Sequence, residues 1–210
     1  MRPHYLSLTM DAADRNGVSV AQTPTGAANL TITGALATGG VASMDVARHV
    51  SIYSDGNDST ATFTITGTDR DGVALTEDIT GPSITTVKGL KNFLTVTQVA
   101  ISKAGVGSIE VGSADEAESQ LIPTDVYADE LTYAVTLSSG ASLTYNLLYT
   151  HDPVIDGSYD EHTATYFNDL GDKVVNANGA STGPVSAIRL RIKSFSSGTA
   201  RLTILTARNA

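Results

Sequence analysis

The chain has 210 residues and a formal net charge of −9, with 41% hydrophobic, 6% aromatic and 17% charged residues. That charge leaves nothing to neutralise phosphates and argues against a nucleic-acid binder. The absence of cysteine excludes disulfides, a thiolate nucleophile and Cys-ligated zinc, and the low charge with 19 glycines and abundant Thr, Ser and Ala excludes a coiled coil or helical bundle.

In chain order, Met1 to Leu6 carries one basic residue and no apolar core of useful length, so no secretory signal is expected. No stretch approaches the roughly 18 apolar residues of a membrane span. The first expected strand, Leu6 to Met10, puts Leu6, Leu8 and Met10 on one face. Further strands are expected at Asn29–Gly34 and Arg48–Ser54. From Thr60 to Thr68 threonines occupy every second position, while Ala61, Phe63 and Ile65 form the opposite, apolar face. Asp69-Arg70-Asp71-Gly72 is a turn, and Val73 to Thr80 returns with Val73, Leu75 and Ile79 on one face, completing a hairpin. Leu94–Ser102 and Ser108–Val111 follow.

Residues 113–125 break the pattern. Ser113-Ala-Asp-Glu116 has the form of a capping box opening one helical turn, and Pro123 ends the segment. The second half offers strands at Leu131–Leu137, Leu143–Thr150, Thr163–Phe167, Ala187–Phe195 and Thr199–Ala207. Ser138 to Ala141 and Phe195 to Thr199 read as hairpin links. The expectation is an all-β protein of two β-sandwich or barrel-like units of short antiparallel strands with very little helix. Residues 1–112 form an N-terminal β domain, 113–125 an acidic linker or crossover, and 126–210 a C-terminal β-sandwich.

No reaction centre is visible. Asp69 to Gly72 resembles the start of a calcium loop, but a strand follows where further ligands are needed, so a hairpin turn is expected. Ser54-Asp55-Gly56-Asn57-Asp58 likewise reads as a turn. The segment His151 to His162 holds two histidines and four carboxylates across a Pro/Gly loop, without a helical HxxxH spacing, and a solvated loop is expected there. Nucleophile elbows, P-loops and dinucleotide fingerprints are absent. No catalytic residue, cofactor or metal is expected.

Three segments carry a resemblance. Gly56-Asn-Asp58 through Phe63-Thr-Ile-Thr-Gly67-Thr-Asp-Arg-Asp-Gly72 to Glu77 and Gly81-Pro82 is similar to a hairpin pattern of tailed-bacteriophage structural proteins. Ala141-Ser-Leu-Thr144-Tyr145 through Tyr149 to Asp152-Pro153 resembles a strand and loop of the same proteins, and the ending from Gly183-Pro184 through Leu205 also fits. The resemblance implies a virion structural protein assembled in the host cytoplasm. It leaves open a capsid decoration (cement) protein or a neck or tail accessory part. An enzyme or carbohydrate-binding β-sandwich is the alternative of another class; Tyr133, Tyr145 and Tyr149 would supply its aromatic patch, but a core or interface stripe is the expectation for them.

For a virion part, the expected partners are the major capsid protein, neighbouring virion proteins and further copies of the chain, for example in a trimer. No nucleic acid or membrane partner is expected. Six of the 13 Lys and Arg residues lie after residue 172. The alternation of Arg189, Arg191 and Lys193 with Ile188, Leu190 and Ile192 predicts an exposed basic sheet face, to which Arg201 and Arg208 add. With Leu6, Leu8 and Met10, the residues Arg189, Arg191, Lys193 and Arg201 form the candidate assembly interface. Changing Arg189 and Arg191 to Glu is then expected to leave the fold intact.

Overall fold

A computed structural model describes residues 3–124, 130–154, 161–181 and 184–207. Strands take 61% of these described residues and no helix is present among them, so the all-β expectation holds. Two compact units divide the chain, one of Ala12–Ala117 and one of Met1–Asp11 with Glu118–Ala210. We call them the middle and the terminal unit. The first strand, β1 (His4–Thr9), therefore belongs with the C-terminal half, contrary to the 1–112 domain expected from the sequence. The reason is pairing: its register runs from His4↔Ile204 to Thr9↔Thr199 without a break.

The middle unit contains β2 (Ser19–Gln22), β3 (Ala28–Asn29), β4 (Ala37–Thr38), β5 (Val41–Asn57), β6 (Thr62–Thr68), β7 (Ala74–Thr80), β8 (Ser83–Lys88), β9 (Phe93–Ile101) and most of β10 (Ile109–Glu118). Its organising strand is β5, 17 residues long. The first half of β5 pairs with β4 and β9, and β6 and β7 extend that side; the second half pairs with β8 and β10, and β2 joins β10. One strand thus serves two groups of strands that enclose a single core including Val50, Ile52, Phe63, Ile65, Val99 and Val111. Register shifts between Ser43 and Arg48 and between Ser113 and Ala117 accommodate the bend, as β-bulges do.

The expected helical turn at residue 113 is instead strand. Ser113 pairs with Val50 and Ala117 with Arg48. The Ser113 hydroxyl accepts from the Asp14 N–H at 3.0 Å, and the Ala114 carbonyl accepts from Nε of the fully buried Arg48 at 2.8 Å. These tertiary partners replace the cap that a helix would have needed.

The hairpin of β6 and β7 forms with Phe63 opposite Ile79 and Gly67 opposite Leu75. Phe63 and Ile65 are buried and the threonines between them are half-buried or exposed. At its turn, Asp69 Oδ1 accepts from the N–H groups of Asp71 and Val73, both at 2.9 Å, and Gly72 takes φ of 78°. The carboxylate is an internal brace of the turn. Val73 departs from the expected inward face and is 61% exposed.

Asp58 does the same on a larger scale. It is 1% exposed, and its carboxylate accepts from the Ser54 hydroxyl at 2.6 Å and the Val106 and Gly107 N–H groups at 2.7 and 3.3 Å. Its own N–H donates to the Pro82 carbonyl at 2.8 Å. A Cβ on Gly56 would lie 2.5 Å from the Gly107 nitrogen, so this approach requires glycine. The pieces Gly56-Asn-Asp58, Gly81-Pro82 and Gly105-Val-Gly107 are thus one hydrogen-bonded knot.

The terminal unit adds β11 (Ile122–Pro123), β12 (Glu130–Leu137), β13 (Ser142–Thr150), β14 (Phe167–Asn168), β15 (Ala177–Ser181), β16 (Ala187–Ser197) and β17 (Thr199–Ala207) to β1. One sheet has the order β1-β17-β12-β15; in the other, β14, β13 and β16 are neighbours and β11 pairs with β16. The expected hairpins β12–β13 and β16–β17 do not exist, because each link passes between sheets. The two crossings run side by side. The Ser138 N–H donates to the Thr199 carbonyl and the Thr199 N–H to the Ser138 hydroxyl, both at 3.0 Å. Gly198 takes φ of 104° there, hard against Ala141. The expected strand at Thr163–Phe167 is reduced to the two residues of β14.

The knot gives the first testable outcome. Asp58→Ala leaves two backbone N–H groups and a hydroxyl without their acceptor and should lower stability by about 2–4 kcal/mol. Asp71→Ala, at an exposed turn position, should stay within about 0.5 kcal/mol. Urea midpoints of the two variants, at unchanged slope, check this.

Candidate assembly interface

The structure separates the seven residues that the sequence grouped. Leu8 and Met10 are buried and Leu6 is half-buried. Leu6 lies opposite Leu202 and Leu8 opposite Ala200 on β17, itself paired to β12 with Leu202 opposite Val135. The apolar face of β1 therefore packs within its own unit and is not open for docking.

Arg189 also leaves the expected surface. It is 5% exposed. Its Nη2 lies 2.6 Å from Oε2 of the buried Glu118, its Nη1 3.8 Å from Glu161, and its guanidinium carbon 3.8 Å from the centre of the Tyr166 ring. Arg191 shares Glu118 at 3.7 Å, and Lys193 pairs with Asp172 at 2.7 Å. The Lys193 ammonium and the Asn146 amide hold the exposed Asp172 carboxyl below its ordinary pKa, Lys193 being the main cause. The alternation along β16 correctly marks two faces, but carboxylates from residues 118, 161 and 172 cover and neutralise the second. Arg189 and Arg191 cannot be exchanged for Glu without placing like charges beside Glu118, so the expectation of an intact fold is corrected. Sequence spacing held no signal for Glu118, 71 residues from its partner.

Arg201 alone points outward from the other sheet, in register with Ser7 and Thr136. Arg208 lies outside the described residues. Around Arg201, the outer face of β1-β17-β12-β15 presents Tyr5, 63% exposed, and Leu205, 40% exposed. Thr132, Ala134, Asn178, Ala180, Thr203 and Leu205 line an open depression of about 410 Å³ on this face. Strand alternation puts Glu130 on the same face, six residues along β12 from Thr136, the residue paired with Arg201. Small side chains, one exposed aromatic and few charges distinguish this surface on an acidic chain. The signal for it was present in the alternation of Tyr5, Ser7 and Thr9, the side of β1 opposite the one singled out from the sequence.

The tyrosines do not make an open platform. Tyr133 and Tyr145 are buried; the Tyr133 hydroxyl donates to Asp169 and the Tyr145 hydroxyl to the Val175 carbonyl at 2.8 Å. Tyr149 stacks on Phe167 with ring centres 5.4 Å apart, and His151 meets both rings. In the acidic loop, Asp152 accepts from the Thr165 N–H at 2.7 Å; residues 155–160 lie outside the described residues. A second charged group occurs in the middle unit, where Lys88 binds Asp115 at 2.6 Å and Glu116 at 3.0 Å.

No protein-family model matches the chain, and no curated protein matches it either.

Two outcomes follow. Arg189→Ala removes the nearer of the two cations on the buried Glu118 and should cost about 3 kcal/mol, whereas Arg201→Glu should change stability by no more than about 0.5 kcal/mol; paired thermal melts decide. Burial raises the phenol pKa of Tyr133 and Tyr145, with the Asp169 carboxylate adding to the effect at Tyr133. Both folded values therefore exceed the ordinary 10.0. Their contribution to stability is complete below that pH and is lost as pH rises through the folded values. The melting temperature should fall above pH 10 less steeply in the Tyr133→Phe/Tyr145→Phe variant than in wild type.

Proposed function

We propose that this chain is a structural protein of a tailed-bacteriophage virion, acting as a capsid decoration or cement protein on the outer shell. The observation that carries this reading is the outer face of β1-β17-β12-β15, where Tyr5 and Leu205 stand exposed among small, mostly uncharged side chains. Such a face is suited to a protein partner, since fully buried interface centres are depleted in charge and enriched in aromatics. The partner is the major capsid protein or another copy of the chain. The edges of this sheet, β1 and β15, add backbone groups available for strand addition.

The engagement of the motif residues supports the same reading. The residues that resemble phage structural proteins, Gly56 to Asp58 and Asp69 to Gly72, hold loops and turns through their carboxylates and glycines. They shape a rigid body, which a shell-binding part requires. A net charge of −9 suits a position outside packaged DNA, where anionic surfaces repel the nucleic acid. On this reading the chain is not an enzyme, carries no cofactor and resides in the virion.

The test is binding to particles. Purified protein is mixed with shells lacking it, the shells are pelleted, and the retained chain is quantified by gel densitometry. Retention in proportion to the major capsid protein, reduced by Leu205→Asp and Arg201→Glu, is the expected result. Retention limited to a single ring's complement would assign the chain to the neck or tail. No retention, with binding to immobilised polysaccharide instead, would favour the carbohydrate-binding alternative.

A further inference from the structure

We propose that β1 is exchanged between copies, so that the segment His4–Met10 of one chain lies beside β17 of a neighbouring chain in the assembled protein. The inference rests on the reading of the chain as an assembling part. It concerns how copies join, not what they join to.

The first ground is connectivity. β1 completes the edge of a sheet in the terminal unit, yet the next 106 residues, Ala12–Ala117, fold as a separate unit with its own core. Thr9 and Thr199 are paired although 190 positions separate them. No neighbouring strand of its own unit is joined to β1 by a short turn, so tertiary pairing alone keeps it beside β17.

The second ground is the seat. Six consecutive residues pair, Leu6 and Leu8 face Leu202 and Ala200, and Met10 is 4% exposed. Any copy of the segment fits that seat equally, so exchange retains every one of these contacts and adds a link between chains. As an edge strand, β1 leaves by breaking one ladder only.

The third ground is the connector. β1 ends at Thr9, and Asp14 is already bonded in the middle unit: its carbonyl accepts from the Ser113 N–H at 2.9 Å and its N–H donates to the Ser113 hydroxyl at 3.0 Å. The span from Thr9 to Asp14 reaches at most about 18 Å. The connector is the hinge of the exchange: here it returns β1 to β17 of its own chain, and in the exchanged form it carries β1 to a neighbour's. It also fixes the geometry, because the acceptor's β17 must lie within that reach of the donor's middle unit. Each chain donates one strand and accepts one, which closes into a ring when the rotation between copies permits. Crowding of copies on a surface raises their effective concentration and favours the exchanged form.

A disulfide trap tests this directly. The protein has no cysteine, and the Thr9 and Thr199 hydroxyls, both exposed, lie 2.7 Å apart. The Thr9→Cys/Thr199→Cys variant is purified reduced, its oligomeric state is measured by size exclusion with light scattering, and the assembled fraction is oxidised with glutathione disulfide. Non-reducing electrophoresis should show species of two or more chain masses, which neither single variant produces, and oxidation of a dilute, refolded sample should shift the product to single-chain mass. A disulfide confined to one chain while the oligomer persists overturns strand exchange and leaves the assembly reading standing. Failure to form any disulfide in the oligomer means that β1 is not beside β17 there and overturns the proposal as well. A chain that stays monomeric at all concentrations and on shells removes both readings.

Discussion

Where the described residues form strands and no helix, backbone N–H and C=O groups find their partners on other strands, and here those strands are often remote in sequence. That constraint shapes both units. It draws β1 across 190 positions to β17, and it keeps β5 in pairing along both halves of its 17 residues. Where the ladder must bend, at Ser43–Arg48 and Ser113–Ala117, bulges open and the buried Arg48 guanidinium takes up the Ala114 carbonyl. Loops that cannot join a ladder are served by side chains: Asp58 collects two backbone N–H groups and Asp69 another two.

The same constraint governs where charge goes. A two-sided strand such as β16 exposes its second face only if nothing else must cover it. In the terminal unit Glu118, Glu161, Tyr166 and Asp172 meet that face, so Arg189 and Arg191 become internal ion-pair partners. A buried pair of this type is costly to break and contributes less than its short distance suggests, because both ions have lost their water. It holds Glu118 and Tyr166 against Arg189 of β16 more than it adds to stability. On the reading proposed above, the partner surface is the sparsely charged outer face carrying Tyr5, Arg201 and Leu205, a different surface from the basic one that the residue pattern suggested.

The proposed assembly follows from the same architecture. Strands supply association both through their faces and through their edges. In this chain the outer sheet face and the β1 edge belong to one sheet. Docking and linking of copies would therefore act on the same four strands, with the middle unit carried as a separately folded body.

What the sequence determined by itself was local. Period-two alternation located β6, β7, β12, β13, β16 and β17 within a residue or two, because one side of each meets apolar core and the other does not. The Asp69 to Gly72 turn was legible because its carboxylate and its left-handed glycine act within four residues of each other. Tertiary structure decided the rest. β8 and β15 escaped notice because their side chains are mostly exposed or half-buried and so carry no apolar alternation. The capping-box pattern at Ser113 yielded to pairing with Val50, a partner 63 residues away. The links at Ser138 and Gly198 became crossings between sheets, since turn residues specify a reversal of direction but not which sheet receives the next strand. The fate of Arg189 depended on Glu118 and Tyr166, distant in sequence and joined to it only by the fold.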